Sequence, residues 1–368
     1  MKYLSEYRDP ALVAQYLEDI RQVVTRPWVI MEICGGQTHS LVKNGLLDLL
    51  PKEILLVHGP GCPVCVTPIR LIDQAVHLAL NEHVILCSFG DMVRVPGSTK
   101  SLLEAKAAGA DVRMLYSPLE ALKIAKENPQ REVVFFAVGF ETTAPANALS
   151  VLQALQEGIT NYSILTSHVL VPPAMEALLS DETNIVQGFL AAGHVCTIMG
   201  MGEYYPLVEK FKVPVVITGF EPVDLLQGIA MVVKQLERGE HRLENQYSRM
   251  VTAAGNRAAR EVIERVFETS DREWRGMGTI PGSGYELRGA YAAYDASHKF
   301  QVPAVRASEN KACIAGEILR GRKKPNQCTE FGTRCTPASP QGAPMVSSEG
   351  ACAAYHHYVH VSERPVSG

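Results

Sequence analysis

The sequence lacks the features of two large classes of protein. Its 368 residues contain no run of about 18 apolar residues, which a membrane-spanning helix needs, and the first residues form no apolar signal segment. A long basic tract is also missing and the net charge is −4, so the composition does not indicate nucleic acid binding. From these absences we expect a soluble, cytoplasmic protein whose partners include neither a membrane nor a nucleic acid.

Two catalytic motifs are missing as well. The chain has no G-x-x-x-x-G-K-[ST] phosphate loop and no G-x-S-x-G nucleophile elbow, so nucleotide and serine-hydrolase chemistry have no motif support. It does have nine cysteines. An odd number of cysteines without a secretory signal argues against a disulfide framework and favours thiol or metal chemistry.

Short apolar runs alternate with helical patterns over the first 240 or so residues, and each run ends in Gly, Pro or polar residues. This alternation predicts an α/β fold with parallel sheets, whose functional loops lie at the carboxyl ends of the strands. The predicted strands are residues 28–33, 54–58, 84–89, 111–116, 133–138, 162–166, 188–192 and 215–218.

The chain is too long for a single hydrophobic core. A Gly-Phe-Glu signature follows an apolar strand at Gly139 and again at Gly219, which indicates a second α/β domain similar to the first. We predict α/β domains at residues 1–129 and 130–242 that face a common cleft, and a loop-rich C-terminal domain at residues 243–368. A long helix is expected over residues 245–267.

One stretch, residues 59–68, combines two thiols, Cys62 and Cys65, with a backbone rich in Gly and Pro. If the pair lies where a strand ends and a helix begins, the unpaired N–H groups and the helix dipole favour the thiolate. A buried thiol pair in a tight turn and one half of a zinc site are the alternatives, although no second C-x-x-C completes such a site. We interpret this pair as the centre of the chemistry.

Cys34 ends another predicted strand and is followed by two glycines, a backbone that lets an ion or ligand approach closely. His39 lies five residues further on and is a second candidate. The alternative for Cys34 is a packed small hydrophobe. In one parallel sheet Cys34 would reach the same edge as Cys62 and Cys65, where the thiols could meet around a soft metal such as iron.

Two more polar residues follow predicted strands. Glu141 comes after Gly-Phe and either anchors a loop by accepting backbone hydrogen bonds or contributes charge to the cleft. His194 comes after a glycine, and a hydrogen-bonded loop histidine is the alternative to a catalytic role. Both are candidate site residues.

Four cysteines stand alone in the last part of the chain with the spacing C-x14-C-x6-C-x16-C: Cys313, Cys328, Cys335 and Cys352. Four thiolates suit a structural zinc ion or an iron–sulfur cluster. Zinc ligands usually come in close pairs, whereas these are scattered singly in loops, which favours a cluster. Four unligated cysteines are the remaining alternative.

Five motifs, taken in their order along the chain, resemble the HypD family of [NiFe]-hydrogenase maturation factors, and the likeness covers nearly the whole sequence. They are Cys-Gly-Gly-Gln-Thr-His at 34–39, Gly-Pro-Gly-Cys-Pro-Val-Cys at 59–65, Gly-Phe-Glu-Thr-Thr at 139–143, Gly-His-Val at 193–195 and Met-Val-Ser-Ser-Glu-Gly-Ala-Cys-Ala-Ala at 345–354.

The resemblance implies an assembly scaffold with two similar α/β domains and a third that binds a [4Fe–4S] cluster. HypD-like proteins pair with a small HypC-like chaperone and carry an iron that acquires cyanide and carbon monoxide, the Fe(CN)2CO moiety. The cyanide comes through a HypE-like donor with its HypF-like partner. By position, Cys34 is similar to the iron-site cysteine, Cys62 and Cys65 to the redox-active pair, and the last four cysteines to the cluster ligands.

Two positions depart from the family pattern. Gln37 stands where His is frequent, which puts a ligand or base role there in doubt, and Cys196 stands where Ser is usual. Because a cluster and a dithiol can store electrons, we hypothesise a relay from the cluster through Cys62 and Cys65 to iron at Cys34. A cluster-dependent thiol–disulfide oxidoreductase and a zinc-stabilised binding protein are the competing functions.

Overall fold

The structure is a computed structural model that describes residues 5–301 and 310–359. These residues form eleven strands: β1 (Trp28–Glu32), β2 (Ile54–His58), β3 (Val84–Ser88), β4 (Val112–Met114), β5 (Glu132–Gly139), β6 (Tyr162–His168), β7 (Gly188–Ala192), β8 (Val215–Thr218), β9 (Leu243–Asn245), β10 (Phe267–Trp274) and β11 (Gly278–Leu287).

The same residues form sixteen α-helices: α1 (Pro10–Val23), α2 (Gly35–Lys43), α3 (Leu46–Leu49), α4 (Pro63–Val66), α5 (Ile69–Ala79), α6 (Leu102–Ala107), α7 (Pro118–Glu127), α8 (Ala144–Gln156), α9 (Val171–Leu179), α10 (Gly193–Met199), α11 (Tyr205–Phe211), α12 (Pro222–Arg238), α13 (Arg257–Val266), α14 (Ala296–Phe300), α15 (Ala315–Leu319) and α16 (Ala351–Tyr358). Within the described ranges, no helix has the length and apolar content needed to cross a bilayer.

The first compact unit is built from three separate segments, Met1–Cys62, Leu178–Ala253 and Ala312–Gly368. Its sheet has the strand order β2-β1-β7-β8-β9, and every neighbouring pair is parallel. Apolar side chains of the sheet and of helices α1, α2 and α12 form one core. Burial of this core holds the first two segments together, and a smaller cluster of Val42, Ala354 and Tyr355 packs the third segment against the first.

The second unit consists of Pro63–Ala177 and Ala254–Lys311. Its parallel sheet has the order β4-β3-β5-β6, and β10 and β11 form an antiparallel hairpin. Residues 133–138 of the central strand are all buried. A strand covered on both faces reads as a continuous apolar run, which is why this strand could be predicted.

The predicted α/β fold with two parallel sheets is confirmed, and all eight predicted strands are present within a few residues. The Gly-Phe-Glu signature at Gly139 follows β5 of the second unit, and the one at Gly219 follows β8 of the first. The repeat therefore marks one strand in each sheet. The cleft stays a prediction.

The predicted consecutive domains at 1–129, 130–242 and 243–368 differ from the observed division. Strands β1 and β2 share a sheet with β7, β8 and β9, and not with β3 and β4. The segment from 243 contributes β9 to the first unit, residues 254–311 to the second and residues 312–368 to the first again; residues 302–309 and 360–368 of this segment lie outside the described residues. An apolar run predicts a strand but not its neighbours, because strand pairing depends on distant packing.

The long helix predicted over residues 245–267 is wrong. Residues 243–245 form β9, and α13 begins only at Arg257. Gly255 has a positive φ of 67°, and the Asn256 side chain accepts a hydrogen bond from the Ala259 N–H at 3.1 Å as the N-cap. A left-handed glycine followed by an Asn cap is a helix start signal, so the periodic pattern before it does not continue the helix.

The strand order of the first sheet places a switch point between β1 and β7. The chain leaves β1 toward β2 on one side and leaves β7 toward β8 on the other. Loops that diverge from two neighbouring parallel strands open a crevice at their carboxyl ends, where ligands of parallel sheets usually bind. Cys34 follows β1 and His194 follows β7, so the fold brings these two residues to the crevice.

The burial pattern of β2 predicts how two neighbouring leucines contribute to the stability of the first unit. Leu56 is 1% exposed in the core of the first unit, whereas its neighbour Leu55 is 40% exposed. We expect Leu56→Ala to lower the free energy of unfolding of this unit by about 2–5 kcal/mol, because it leaves a cavity in the core. The matched Leu55→Ala change should cost less than about 1 kcal/mol.

Urea unfolding followed by fluorescence would measure both variants. A Trp274→Phe background leaves Trp28, in β1, as the one tryptophan of the chain, so the signal reports the first unit. Equal costs for the two variants would contradict the register, because a one-residue slip exchanges the two faces of a strand.

Candidate functional site

Cys34 lies in the turn between β1 and α2. Its backbone is extended, with a φ of −150°, and its carbonyl accepts the Thr38 N–H at 3.0 Å, which starts the helix. The side chain is 2% exposed. A Cβ on Gly36 would lie 3.7 Å from its sulfur, so the thiol lies beside the N-terminus of α2, whose backbone N–H groups lower its pKa.

Glycines let two other segments approach this turn. The Gly35 N–H donates to the Gly61 carbonyl at 2.8 Å, and a Cβ on Gly61 would lie 2.2 Å from the Cys34 nitrogen. On the other side, a Cβ on Gly35 would lie 2.5 Å from the Cβ of Glu349. The segment leading into Cys62 and the C-terminal segment therefore both border the Cys34 turn.

His194 faces Cys34 from the neighbouring strand end. Its Nδ1 lies 3.6 Å from the Cys34 Sγ, and its ring is 5.3 Å from the ring of Phe220. A Cβ on Gly193 would lie 2.3 Å from the Thr218 carbonyl oxygen, so glycine is required for this position of the helix start. The crevice at the switch point is therefore lined by the Cys34 thiol, the His194 imidazole and the Phe220 ring.

Burial controls the protonation of both groups. Loss of solvation raises the pKa of the Cys34 thiol well above its usual range, and the Glu349 and Glu32 carboxylates raise it further, against the lowering effect of the helix N–H groups. Burial lowers the pKa of the His194 imidazole to about 4. At neutral pH the pair is therefore a protonated thiol beside a neutral imidazole.

This pair has the spacing of two ligands on one metal ion. Sulfur and nitrogen bound to one tetrahedral ion at about 2.3 and 2.0 Å are separated by roughly 3.5 Å, and the observed separation is 3.6 Å. A cation would release the thiol proton and use the lone pair of the neutral imidazole. The crevice can therefore hold a soft metal ion.

Cys62 and Cys65 are both disulfide-bonded, whereas the other seven cysteines form no disulfide. Cys62 ends the first segment of the first unit, and Cys65 belongs to α4 at the start of the second. The one-turn helix α4 is followed by α5, which begins at Ile69. A redox role for the pair stays a prediction, as does a common site with Cys34.

Two other predicted residues have structural contacts. In the second unit, the buried Glu141 accepts the Val171 N–H at 2.9 Å, which supports loop anchoring. In the first unit, His39 Nδ1 lies 3.0 Å from the Ser348 carbonyl oxygen, and its ring meets Tyr358 edge-to-face. His39 therefore binds the C-terminal segment, and a catalytic role for either residue stays a prediction.

Gln37 has a clear structural role in place of a ligand role. Its Nε2 donates to the Ala191 carbonyl at 3.0 Å and to the Thr218 hydroxyl at 2.7 Å. Both acceptors lie at the carboxyl ends of β7 and β8. The side chain therefore holds the start of α2 against the switch point.

The four C-terminal cysteines surround one cavity of about 20 Å³ in the first unit. Cys352 is partly buried, and the pKa of its thiol is raised by loss of solvation and by the charges of the other three cysteines. A Cβ on Gly342 would lie 2.4 Å from the Cys313 sulfur. Four cysteines that are scattered along the sequence therefore line the same cavity: Cys313, Cys328, Cys335 and Cys352.

The surroundings of this cavity are mainly apolar. Ile318, Phe331 and Met345 line it, and the Gln341 N–H donates to the Cys335 sulfur at 3.4 Å. Among the described residues, no three Cys, His, Asp or Glu side chains converge on a position for one metal ion.

Sequence reasoning missed three residues of the site. Glu32 and His58 end β1 and β2, are register partners in the sheet and are buried. Glu349 contacts the Cys34 turn and lies inside the last of the five motifs. A charged residue at the end of an apolar strand was the available signal, since such a residue needs a buried partner.

A family model described as "Hydrogenase formation hypA family", with the name HypD, matches residues 11–359. The chain belongs to the HypD family. It is 49% identical over 368 residues to "Hydrogenase maturation factor HypD2" of Bradyrhizobium diazoefficiens, with 97% of each chain covered. It is 48% identical to the HypD of Azotobacter vinelandii, again with 97% of each chain covered. To the HypD of Escherichia coli it is 45% identical, with 97% of this chain and 98% of the relative covered.

The depressed pKa of His194 makes this HypD-family protein sensitive to acid. The unfolded imidazole takes up a proton near pH 6.5 but the folded one only near pH 4, so stability is lost as the pH falls through this window. We expect His194 to contribute about 1–2 kcal/mol to the loss in free energy of unfolding between pH 7 and pH 5.

The measurement compares urea unfolding of the metal-free wild type and His194→Gln at the two pH values. The variant should lose about 1–2 kcal/mol less on acidification. His77→Gln, an exposed position on α5, is the matched control and should behave like the wild type. Identical acid sensitivity of wild type and His194→Gln would show that the imidazole is not buried in its neutral form.

Proposed function

We propose that this protein acts in hydrogenase maturation, as the names of its relatives state, and that it is an assembly scaffold. Its cargo is the iron of the Fe(CN)2CO moiety, which it holds at Cys34 while the iron acquires its ligands. The observation that carries this proposal is the Cys34 thiol 3.6 Å from the His194 imidazole at the switch point of the first sheet.

The chemistry of the crevice suits this cargo. Iron that carries cyanide and carbon monoxide is electron-rich, and a thiolate is a soft ligand. Cys34 is 2% exposed, and the ring of Phe220 packs beside His194 in the crevice. An apolar, enclosed site limits access of competing ligands and solvent to the metal.

We further propose that Cys313, Cys328, Cys335 and Cys352 hold a [4Fe–4S] cluster as the resident cofactor. Four thiols around one cavity match the donor set of such a cluster, and their single, scattered spacing in the sequence supports it over a zinc ion, whose ligands usually come in close pairs. When bound, the cluster supplies one-electron redox chemistry. The residues Ile318, Phe331 and Met345 keep water from the cavity.

We do not propose Arg322 as a counter-charge for the cluster, because it forms ion pairs with Asp181 at 2.8 Å and with Glu317 at 3.4 Å. For partners, we propose a small HypC-like chaperone and a HypE-like cyanide donor acting with a HypF-like protein. Family membership over nearly the whole chain supports this proposal.

A second candidate function is thiol–disulfide exchange at Cys62 and Cys65, favoured by their disulfide-bonded state. Reduction of this disulfide takes up two electrons and two protons and gives two thiols. Catalysed reduction of a generic disulfide substrate without any chaperone would support this function. A rate no higher than that of a Cys62→Ser, Cys65→Ser variant would exclude it.

The iron proposal predicts the behaviour of Cys34→Ala. This variant should fold and take up the cluster, but the iron content attributable to Fe(CN)2CO should fall by at least tenfold, because its thiolate ligand is gone. The measurement is infrared spectroscopy of the protein copurified with its small chaperone. Cys87→Ala, which removes a buried thiol from β3, is the control and should keep the cyanide bands.

Cyanide bands of wild-type intensity in Cys34→Ala would contradict the assignment of the cargo site. Loss of the bands in both variants would show that the spectroscopy reports folding and not the Cys34 ligand. The two outcomes are distinguished by circular dichroism and by the cluster absorbance of the same samples.

The cluster proposal predicts that Cys335→Ser loses the broad brown absorbance of anaerobically purified protein, and that bound iron falls from about four atoms per chain to less than one. Cys196→Ala, a buried thiol of α10 outside the cavity, should keep both. Bound zinc in place of iron and sulfide in the wild type would contradict the cluster.

A further inference from the structure

A chain of buried hydrogen bonds connects the four-cysteine segment to the Cys34 turn. Tyr355 lies on α16, three residues after Cys352, and its hydroxyl is 3.0 Å from Nε2 of His58. Nδ1 of His58 is 2.6 Å from Oε1 of Glu32. Oε2 of Glu32 accepts the Cys34 N–H at 3.1 Å.

The direction of these hydrogen bonds follows from the groups involved. The Cys34 N–H can only donate, and the Thr38 hydroxyl also donates to Glu32, so the carboxylate is the acceptor. His58 then carries its proton on Nδ1, and its Nε2 accepts the Tyr355 hydroxyl. His58 thus joins Tyr355 to Glu32, and Glu32 joins His58 to the Cys34 N–H.

This arrangement is not what stability alone would favour. Glu32 is 0%, His58 2% and Tyr355 3% exposed. Buried polar chains cost desolvation, and apolar side chains of similar shape are often as stable or more stable. What a satisfied chain adds is a single fixed geometry for the groups it joins.

We propose that Tyr355, His58 and Glu32 are positioning residues that couple the state of the four-cysteine cavity to the Cys34 turn. Filling the cavity orders α16 through Cys352, and the chain transmits this order to the Cys34 N–H. The turn is then closed over the thiol when the cavity is filled and opens more often when it is empty. This inference rests on the proposed cluster and cargo site.

The test measures how fast the Cys34 thiol reacts with iodoacetamide. Mass spectrometry of the tryptic peptide of residues 22–43 reports this thiol, since that peptide has Cys34 as its single cysteine. In the wild type, we expect the reaction to be about tenfold slower in cluster-loaded protein than in chelator-stripped protein. Equal rates would overturn the inference, whatever the variants do.

Tyr355→Phe removes one hydroxyl and leaves His58 Nε2 without its donor. We expect this variant to keep the cluster absorbance, while its loaded form reacts about as fast as stripped protein. Tyr358→Phe on the same helix, whose ring contacts His39, is the matched control and should react like the wild type. If the Cys34 thiol of cluster-loaded Tyr355→Phe reacted with iodoacetamide as slowly as that of the loaded wild type, the inference would be overturned.

A double-mutant cycle separates coupling from simple loosening. If Tyr355 acts through His58, adding His58→Phe to Tyr355→Phe should change the Cys34 rate by less than about twofold beyond either single variant. If the rate increases of the two single variants instead multiplied in the double variant, Tyr355 and His58 would act independently, and the coupling would be overturned. Wild-type protein that takes up no cluster would instead refute the proposed cofactor, and the absorbance measurement distinguishes that failure from this one.

Discussion

Complete burial of the Glu32 carboxylate is the constraint on which the site of the first unit depends. A buried carboxylate is stable only when donors replace its lost water. Here the donors come from three places: His58 at the end of β2, Thr38 in α2 and the Cys34 N–H in the turn itself. Satisfying one carboxylate therefore fixes the register of two strands and the start of a helix.

The same lack of solvent defines the chemistry beside it. Burial keeps the Cys34 thiol protonated, since it raises the pKa of that group, and keeps His194 neutral, since it lowers the pKa of the imidazole. Neither group therefore carries a charge at neutral pH. A bound metal would reverse this balance by stabilising the thiolate, which is the basis for proposing the crevice as a metal site.

The strands of both sheets could be predicted from local patterns, because an apolar run that ends in glycine or polar residues is a property of neighbouring positions. Residues 84–89 were predicted and Val84–Ser88 is observed. The division into units could not be predicted, because β1 pairs with β7, whose register partners are about 158 positions away. A local pattern holds no information on which distant strand lies alongside.

For the site, sequence was sufficient to name the thiols, since cysteine spacing and motif order are visible in a single chain, and to place Cys34 after a strand. The fold was needed to show that His194 reaches Cys34, 160 positions away, and that Tyr355 reaches His58 across 297 positions. It was also needed to show that four scattered cysteines line one cavity. These contacts arise from sheet order and burial, which are properties of the packed chain as a whole and not of any one stretch of it.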